Sequence, residues 1–301
     1  MEPLVEVPAY QRKRLGRRLS GLRRENSMTQ QQVAAALRWS QSKVTRVENG
    51  EVSVSRTDLL AFLRLFGLSD QRTVDELSSM AEIARRSSHP EMSEVHSKAF
   101  REYVEHEQLA QTLRSFEPFY VPGLLQTPEY RRAVLRSYLR FPALTRAEQA
   151  AAERRIDQQV QVMKTRQQIL AEGGLLTKAH FIVDEAVIRR TVGAEAGDTT
   201  VMREQLELLR AALTNPKVDL RMTPFSSGAH PGLGSSSYVL LEFPDTDDKP
   251  LFYEENAFGE LTTRVDKARI VAASSSFEGM QSVACAGTDL EAALDQAIAA
   301  L

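Results

Sequence analysis

The sequence is poor in residues that staple or ligate. Its 301 residues include one cysteine, Cys285. A lone thiol forms neither an internal disulfide nor a thiolate cage for a metal. A reducing, cytoplasmic compartment is therefore expected. The histidines, His89, His96, His106, His180 and His230, fall at no ligand spacing, and no His-Glu-x-x-His occurs. No metal and no cofactor is expected. Gly-x-Ser-x-Gly is absent. The glycine-rich stretch 228–237 lacks the lysine of a phosphate loop and precedes a strand pattern, so it reads as a flexible turn. Glu254-Glu255 and Asp184-Glu185 are conceivable acid/base pairs, but charged residues at strand ends are more often solvated. No catalytic residue is assigned, and the chain is not expected to be an enzyme. No uncharged apolar run approaches the roughly 18 residues of a membrane span, so no membrane partner is expected. The opening residues are acidic before they are basic, without an apolar stretch, and read as no secretory signal. With 15 Gly and 12 Pro, the composition is not that of a fibrous or disordered chain.

Charge is present in abundance and unevenly spread. The 38 basic and 40 acidic residues sum to −2. Residues 9–86 nevertheless carry +7 and residues 87–301 carry −7. Within residues 10–46, ten basic side chains face one acidic residue, Glu25. A basic head is joined to an acidic body. Of the basic residues 30 are Arg and 8 are Lys, which together with frequent Ala hints at a GC-rich genome.

The head reads as five short helices. Leu15, Leu19 and Leu22 make one apolar stripe over 10–24. Thr29 and Gln32 form a capping box for a helix over about 30–37 that buries Val33, Ala34 and Leu37. Ser40 caps a helix over 41–48 with Val44 and Val47 inward, closed by Asn49-Gly50. Ser55 opens a fourth helix, stopped at Gly67, and a fifth runs over 71–86. Pro90 marks a boundary, giving a head of 9–86, a linker of 87–92 and a body of 93–301.

The body reads as helical first and strand-rich later. One long helix is expected over 93–116, then helices opened by Thr127-Pro128 and by Thr145 with Glu148. Strands are expected over 179–183, 218–222, 237–243, 251–254 and 260–265. Helices are expected over 184–191, 199–213, 266–284 and 288–300, the last capped at Thr288. The fold class is α+β: an all-α five-helix head, then a larger domain whose helical first half packs on a mixed sheet from its second half.

The helix over 41–48 has the face a groove-reading helix needs. Gln41, Ser42, Lys43, Thr45 and Arg46 point outward, opposite Val44 and Val47. Gln pairs with adenine and Arg with guanine in the major groove. Arg38 in the preceding turn, and Arg12, Lys13, Arg17 and Arg18 before it, are candidates for phosphate contact. Trp39 either packs over the turn or meets a sugar edge.

Residues 28–50, MTQQQVAAALRWSQSKVTRVENG, with Arg23-Arg24 before them and Leu59–Leu68 after, resemble the helix-turn-helix of the Cro/lambda-repressor type, the XRE group. The resemblance implies base reading by Gln41, Ser42 and Arg46, with Lys43 and Thr45 as further candidates. It implies phosphate contacts from Gln30 and Ser40, and an internal ion pair between Arg23 and Glu48. The body carries Val121-Pro-Gly-Leu-Leu-Gln-Thr127 with Tyr130, then Asp184-Glu-Ala with Arg189-Arg190 and Gly193, then Gln205-Leu206. In that order these residues resemble the C-terminal domain of actinobacterial WhiJ-like, antitoxin-like regulators. Ile188 stands where Leu is usual. This resemblance implies a transcriptional regulator, often with a small partner protein encoded nearby. The expected partner is a palindromic double-stranded operator bound by a homodimer at the nucleoid. The alternative is an antitoxin-like protein whose body neutralises a small partner while the head represses its own operon.

Overall fold

A computed structural model describes residues 8–85, 96–138, 145–171, 174–194, 198–244, 249–256 and 259–301. The expected linker 87–92 lies outside them. The chain divides into two compact units, Met1–Pro90 and Glu91–Leu301.

The first unit is helical: α1 (Pro8–Glu25), α2 (Gln30–Leu37), α3 (Gln41–Glu48), α4 (Arg56–Leu65) and α5 (Gln71–Arg85). Local chemistry starts these helices. The Thr29 hydroxyl accepts the Gln32 N–H while the Gln32 side chain takes the Thr29 N–H, so two orphan donors are met at once. Ser40 accepts from the Lys43 N–H (3.1 Å) and Ser55 from the Asp58 N–H (3.0 Å). Leu15, Leu19, Val33, Val44, Val47, Leu59, Phe62, Leu63, Leu77 and Met80 close one core. Two glycines permit the closest approaches. A Cβ on Gly16 would sit 2.5 Å from the Glu48 carbonyl oxygen, so α1 lies directly against the end of α3. Gly50, with φ +71°, turns the chain out of α3, and a Cβ there would meet the Lys13 Cα at 2.7 Å.

The second unit is α+β. Its elements are α6 (Lys98–Glu107), β1 (Thr112–Glu117), α7 (Pro128–Ser137), α8 (Arg146–Gln167), β2 (Lys178–Asp184), α9 (Glu185–Arg189), α10 (Thr200–Ala212), β3 (Val218–Thr223), β4 (Ser237–Glu242), β5 (Leu251–Asn256), β6 (Gly259–Thr263), α11 (Lys267–Val283) and α12 (Gly287–Ala299). Among the described residues the sheet has six strands, in the order β3-β2-β1-β4-β5-β6. β1, β2 and β3 run parallel, and β4, β5 and β6 add antiparallel neighbours.

This corrects the single helix expected over 93–116. Its apolar residues Leu109, Leu113 and Phe116 do fit a helical spacing. The helix instead stops at Glu107, and Thr112–Glu117 becomes a central strand, paired on both sides with β2 and β4. Ladder bonds to two distant segments outweigh a local pattern. The sheet therefore draws a strand from the first half of the body. A second correction concerns Thr288. The last helix begins at Gly287, and no side chain caps it.

The two sheet faces are packed differently. Phe116, Ile182, Tyr238, Leu240 and Phe252 meet Ala273, Phe277 and Met280 of α11 on one face. Tyr253 points the other way and stacks on Tyr103 of α6, ring centroids 4.3 Å apart. Beside that stack the Arg166 Nε and Nη2 of α8 donate to both oxygens of Glu107, at 2.8 and 2.7 Å. The Tyr103 hydroxyl donates to the same carboxylate. Burial works against the Arg166 charge, but Glu107 and Tyr103 outweigh it and its pKa is raised.

Candidate nucleic-acid interface

Helix α3 is held from below. Arg23 in α1 donates from Nε to Glu48 Oε1 (2.6 Å) and from Nη2 to Oε2 (2.9 Å), and from Nη1 to the Met28 carbonyl (2.9 Å). Glu48 is 7% exposed. Burial alone would raise its pKa. Hydrogen bonds from Arg23, Gln30 and Ser20 overcome that and hold the carboxyl below its ordinary range. The pair pins α1, α2 and the end of α3 together.

Above this anchor, Gln41, Ser42 and Arg46 are exposed. The helical spacing of four places Ser42 next to Arg46 on one face. Arg46 is only loosely engaged, its Nε 3.7 Å from a Glu51 oxygen and its side chain 56% exposed. These three form the open face of α3.

The structure engages the two further base-reading candidates within the fold. Lys43 Nζ lies 2.9 Å from Asp58 in α4 and 4.1 Å from the centre of the Trp39 ring. Trp39 itself packs on the head core, 6.3 Å from Phe62 between ring centroids. The Thr45 hydroxyl is 2.9 Å from Gln30 Oε1 and 3.1 Å from the Gln41 carbonyl. Gln30 is occupied at both ends of its amide, since its Nε2 donates to Glu48 at 2.9 Å. Gln30 thus orients Thr45 and Glu48.

The other phosphate candidates surround α3. Arg38 adopts φ +55° in the turn between α2 and α3, and its side chain is exposed. Ser40 caps α3, where free backbone N–H groups favour an anion. Arg17 and Arg18 are exposed on α1. Arg12 and Lys13 are half-buried, and Arg12 Nη1 donates to the Ala84 carbonyl at 3.3 Å.

Asp58, Gly16 and Ser20 escape sequence reasoning. Asp58 orients Lys43, Gly16 admits α3, and Ser20 supports Arg23 through a 3.3 Å hydrogen bond. A glycine inside an Arg-rich helix was the one available signal. Nothing local marked the other two.

Three of the four candidate acid/base residues of the body are engaged within the fold. Asp184 caps α9, taking the Ala186 N–H at 2.8 Å. Glu185 takes the Phe225 N–H at 2.7 Å and pairs with Arg189. Glu254 pairs with Arg269 at 2.7 Å. Among the described residues, no group of three His, Cys, Asp or Glu is placed to hold a metal ion. Nor is any helix among them long and apolar enough to cross a membrane.

Comparison with protein families gives two matches. A model described as Helix-turn-helix domain matches residues 14–77. A model described as Domain of unknown function (DUF5753) matches residues 100–296. No curated protein and no solved structure matches the chain.

Proposed function

From a chain that belongs to the DUF5753 family and carries a helix-turn-helix DNA-binding domain ahead of it, we propose a sequence-specific regulator of transcription of the XRE type. α3 enters the major groove, where Gln41, Ser42 and Arg46 read base edges. The carrying observation is the contrast along α3: three polar side chains left open above a carboxylate locked by Arg23. Arg38, Ser40, Arg17 and Arg18 meet phosphate, with Arg12 and Lys13 behind them. Gln30, Lys43 and Thr45 position the helix and join the contacts when DNA replaces their internal partners.

Eight residues of helix span about 12 Å, the width of one major groove. One such helix reads few base pairs, so a homodimer on a palindromic operator supplies the remaining affinity. The protein works in the cytoplasm at the nucleoid, and its body is regulatory rather than catalytic. The motif order in the body supports a WhiJ-like regulator of actinobacterial type. The net −7 of residues 87–301 favours a second reading beside it, an antitoxin-like body that neutralises a small basic partner protein.

Genome-wide footprinting with and without the neighbouring small protein tests these readings. Discrete palindromic sites support the regulator, and their loss when the small protein is absent supports the partner-dependent form. Uniform coverage without preferred sites refutes sequence-specific reading.

A further inference from the structure

One end of the body sheet gathers groups that DNA binding leaves unused. Ser237 in β4 pairs with Glu255 in β5, and Glu255 with Glu260 in β6. Directly opposed residues share a face. Glu117, at the end of β1, accepts a hydrogen bond from Ser237 and joins the same row.

Two cations come from the helices, Arg131 from α7 and Arg166 from α8. Arg166 is committed to Glu107. Arg131 is less committed: Glu255 is its main carboxylate influence, its Nη2 reaches Gln159 at 3.4 Å, and its Nε is buried with no hydrogen-bond partner among the described residues. His96, just before α6, stacks on Phe100 at 4.3 Å and also has a buried Nε2 without a partner among them. Burial, with Arg131, Arg166 and Arg101 nearby, lowers the His96 pKa to about 4, so its ring is neutral. At the rim, the Tyr138 hydroxyl lies 3.3 Å from that of Tyr120.

Glu117 and Arg131 both suffer strong desolvation, yet both keep part of their surface accessible. Groups that are desolvated and still accessible are what the lining of a recess would show. Burial, aided by Glu255 and opposed by Ser237, Arg131 and Arg166, raises the Glu117 pKa to about 8. At neutral pH its carboxyl is a hydrogen-bond donor. A buried guanidinium nitrogen without an acceptor is costly, and a bound carboxylate relieves it. The flanking rings offer flat apolar faces.

We propose that this recess binds a small aromatic carboxylate, its anion on Arg131 and Glu117 and its ring against His96, Tyr120 and Tyr138. The site makes the body a ligand sensor. That role rests on the regulatory reading above, whereas binding itself does not depend on DNA.

The test is calorimetric titration and thermal unfolding of the full chain, without DNA, using sodium benzoate in one arm and inorganic phosphate in the other. Saturable benzoate binding that raises Tm is expected, with phosphate at least tenfold weaker. Arg131→Gln should abolish the benzoate effect. Tyr138→Ala, at an exposed rim position, should weaken it several-fold without disturbing the fold. Benzoate stays ionised throughout, so affinity should fall from pH 7 to pH 9 as Glu117 loses its proton, and Glu117→Gln should flatten that profile. Absence of benzoate binding overturns the proposal. So does binding that survives both Arg131→Gln and Tyr138→Ala, or phosphate binding as tight as benzoate. None of these failures touches operator recognition by the head, which footprinting tests separately.

Discussion

Replacing Arg23 by alanine should strongly destabilise the head. Arg23 places two hydrogen bonds of 2.6 and 2.9 Å on Glu48, whose side chain is 3% exposed. Removing one partner of a buried ion pair leaves an uncompensated charge and costs about 3–5 kcal/mol. A whole domain is stable by only about 5–15 kcal/mol. Arg23→Ala therefore removes a large share of what holds α1, α2 and α3 together. Replacing both partners by methionine removes the stranded charge and should restore most of the loss. The molecule carries its own probe. Its single tryptophan, Trp39, lies in the head and packs against Phe62. Urea unfolding of the full chain followed by Trp39 fluorescence thus reports the head. The pH dependence supplies a sign test. Glu48 is held below its ordinary value, so its contribution is fully present above the unfolded pKa, near 4.5, and disappears as pH falls through the lower folded value. In Arg23→Ala the lone buried carboxyl prefers its proton, so the gap to wild type should narrow in acid. A loss below about 1 kcal/mol, or a gap that widens in acid, would refute the anchor argument.

Arg46→Ala and Gln41→Ala should each cost roughly 1–3 kcal/mol at the cognate operator and relax its specificity, measured by competition binding. If Arg46→Ala binds the operator as tightly as wild type, α3 does not read in this register. Arg17→Ala should weaken all sequences alike and lower the salt slope by about one, seen in a salt titration of binding. Gly16→Ala drives a Cβ against backbone at 2.5 Å and should destabilise the head by about 1–3 kcal/mol in the Trp39 assay. Arg166→Met should cost the body about 3–5 kcal/mol by stranding Glu107, seen in circular dichroism; a change near zero would mean that water reaches that carboxylate.

Much of the head was legible because its signals are local. Thr29, Ser40 and Ser55 sit one residue ahead of the helices they cap, and the apolar stripes repeat at helical spacing. In the body, Thr127 and Thr145 were legible for the same reason. β1 was not. Leu109, Leu113 and Phe116 satisfy a helical period, and only the distant Phe181 and Val239, paired with Ser115, make a strand there. Base-reading candidates divide along the same line. Exposure of Gln41, Ser42 and Arg46 follows from α3 alone. The engagement of Lys43 by Asp58 and of Thr45 by Gln30 depends on neighbours the fold delivers. The proposed ligand site in the body was illegible too, because Glu117, Arg131 and Glu255 come near one another only once the sheet has formed.

The place of β1 in the sheet also sets a timetable. The head is closed by α1 packing on α5, so all its partners exist once α5 has been made, and it can fold while the rest of the chain is still being synthesised. The body cannot follow at once. Phe116 must wait for Tyr238 before β1 has both neighbours. During that interval an unpaired strand edge stands open while the DNA-binding head is already finished. A newly made chain therefore completes its DNA-binding head before its second unit, and the lag between them is set by the synthesis of everything from β2 to β4.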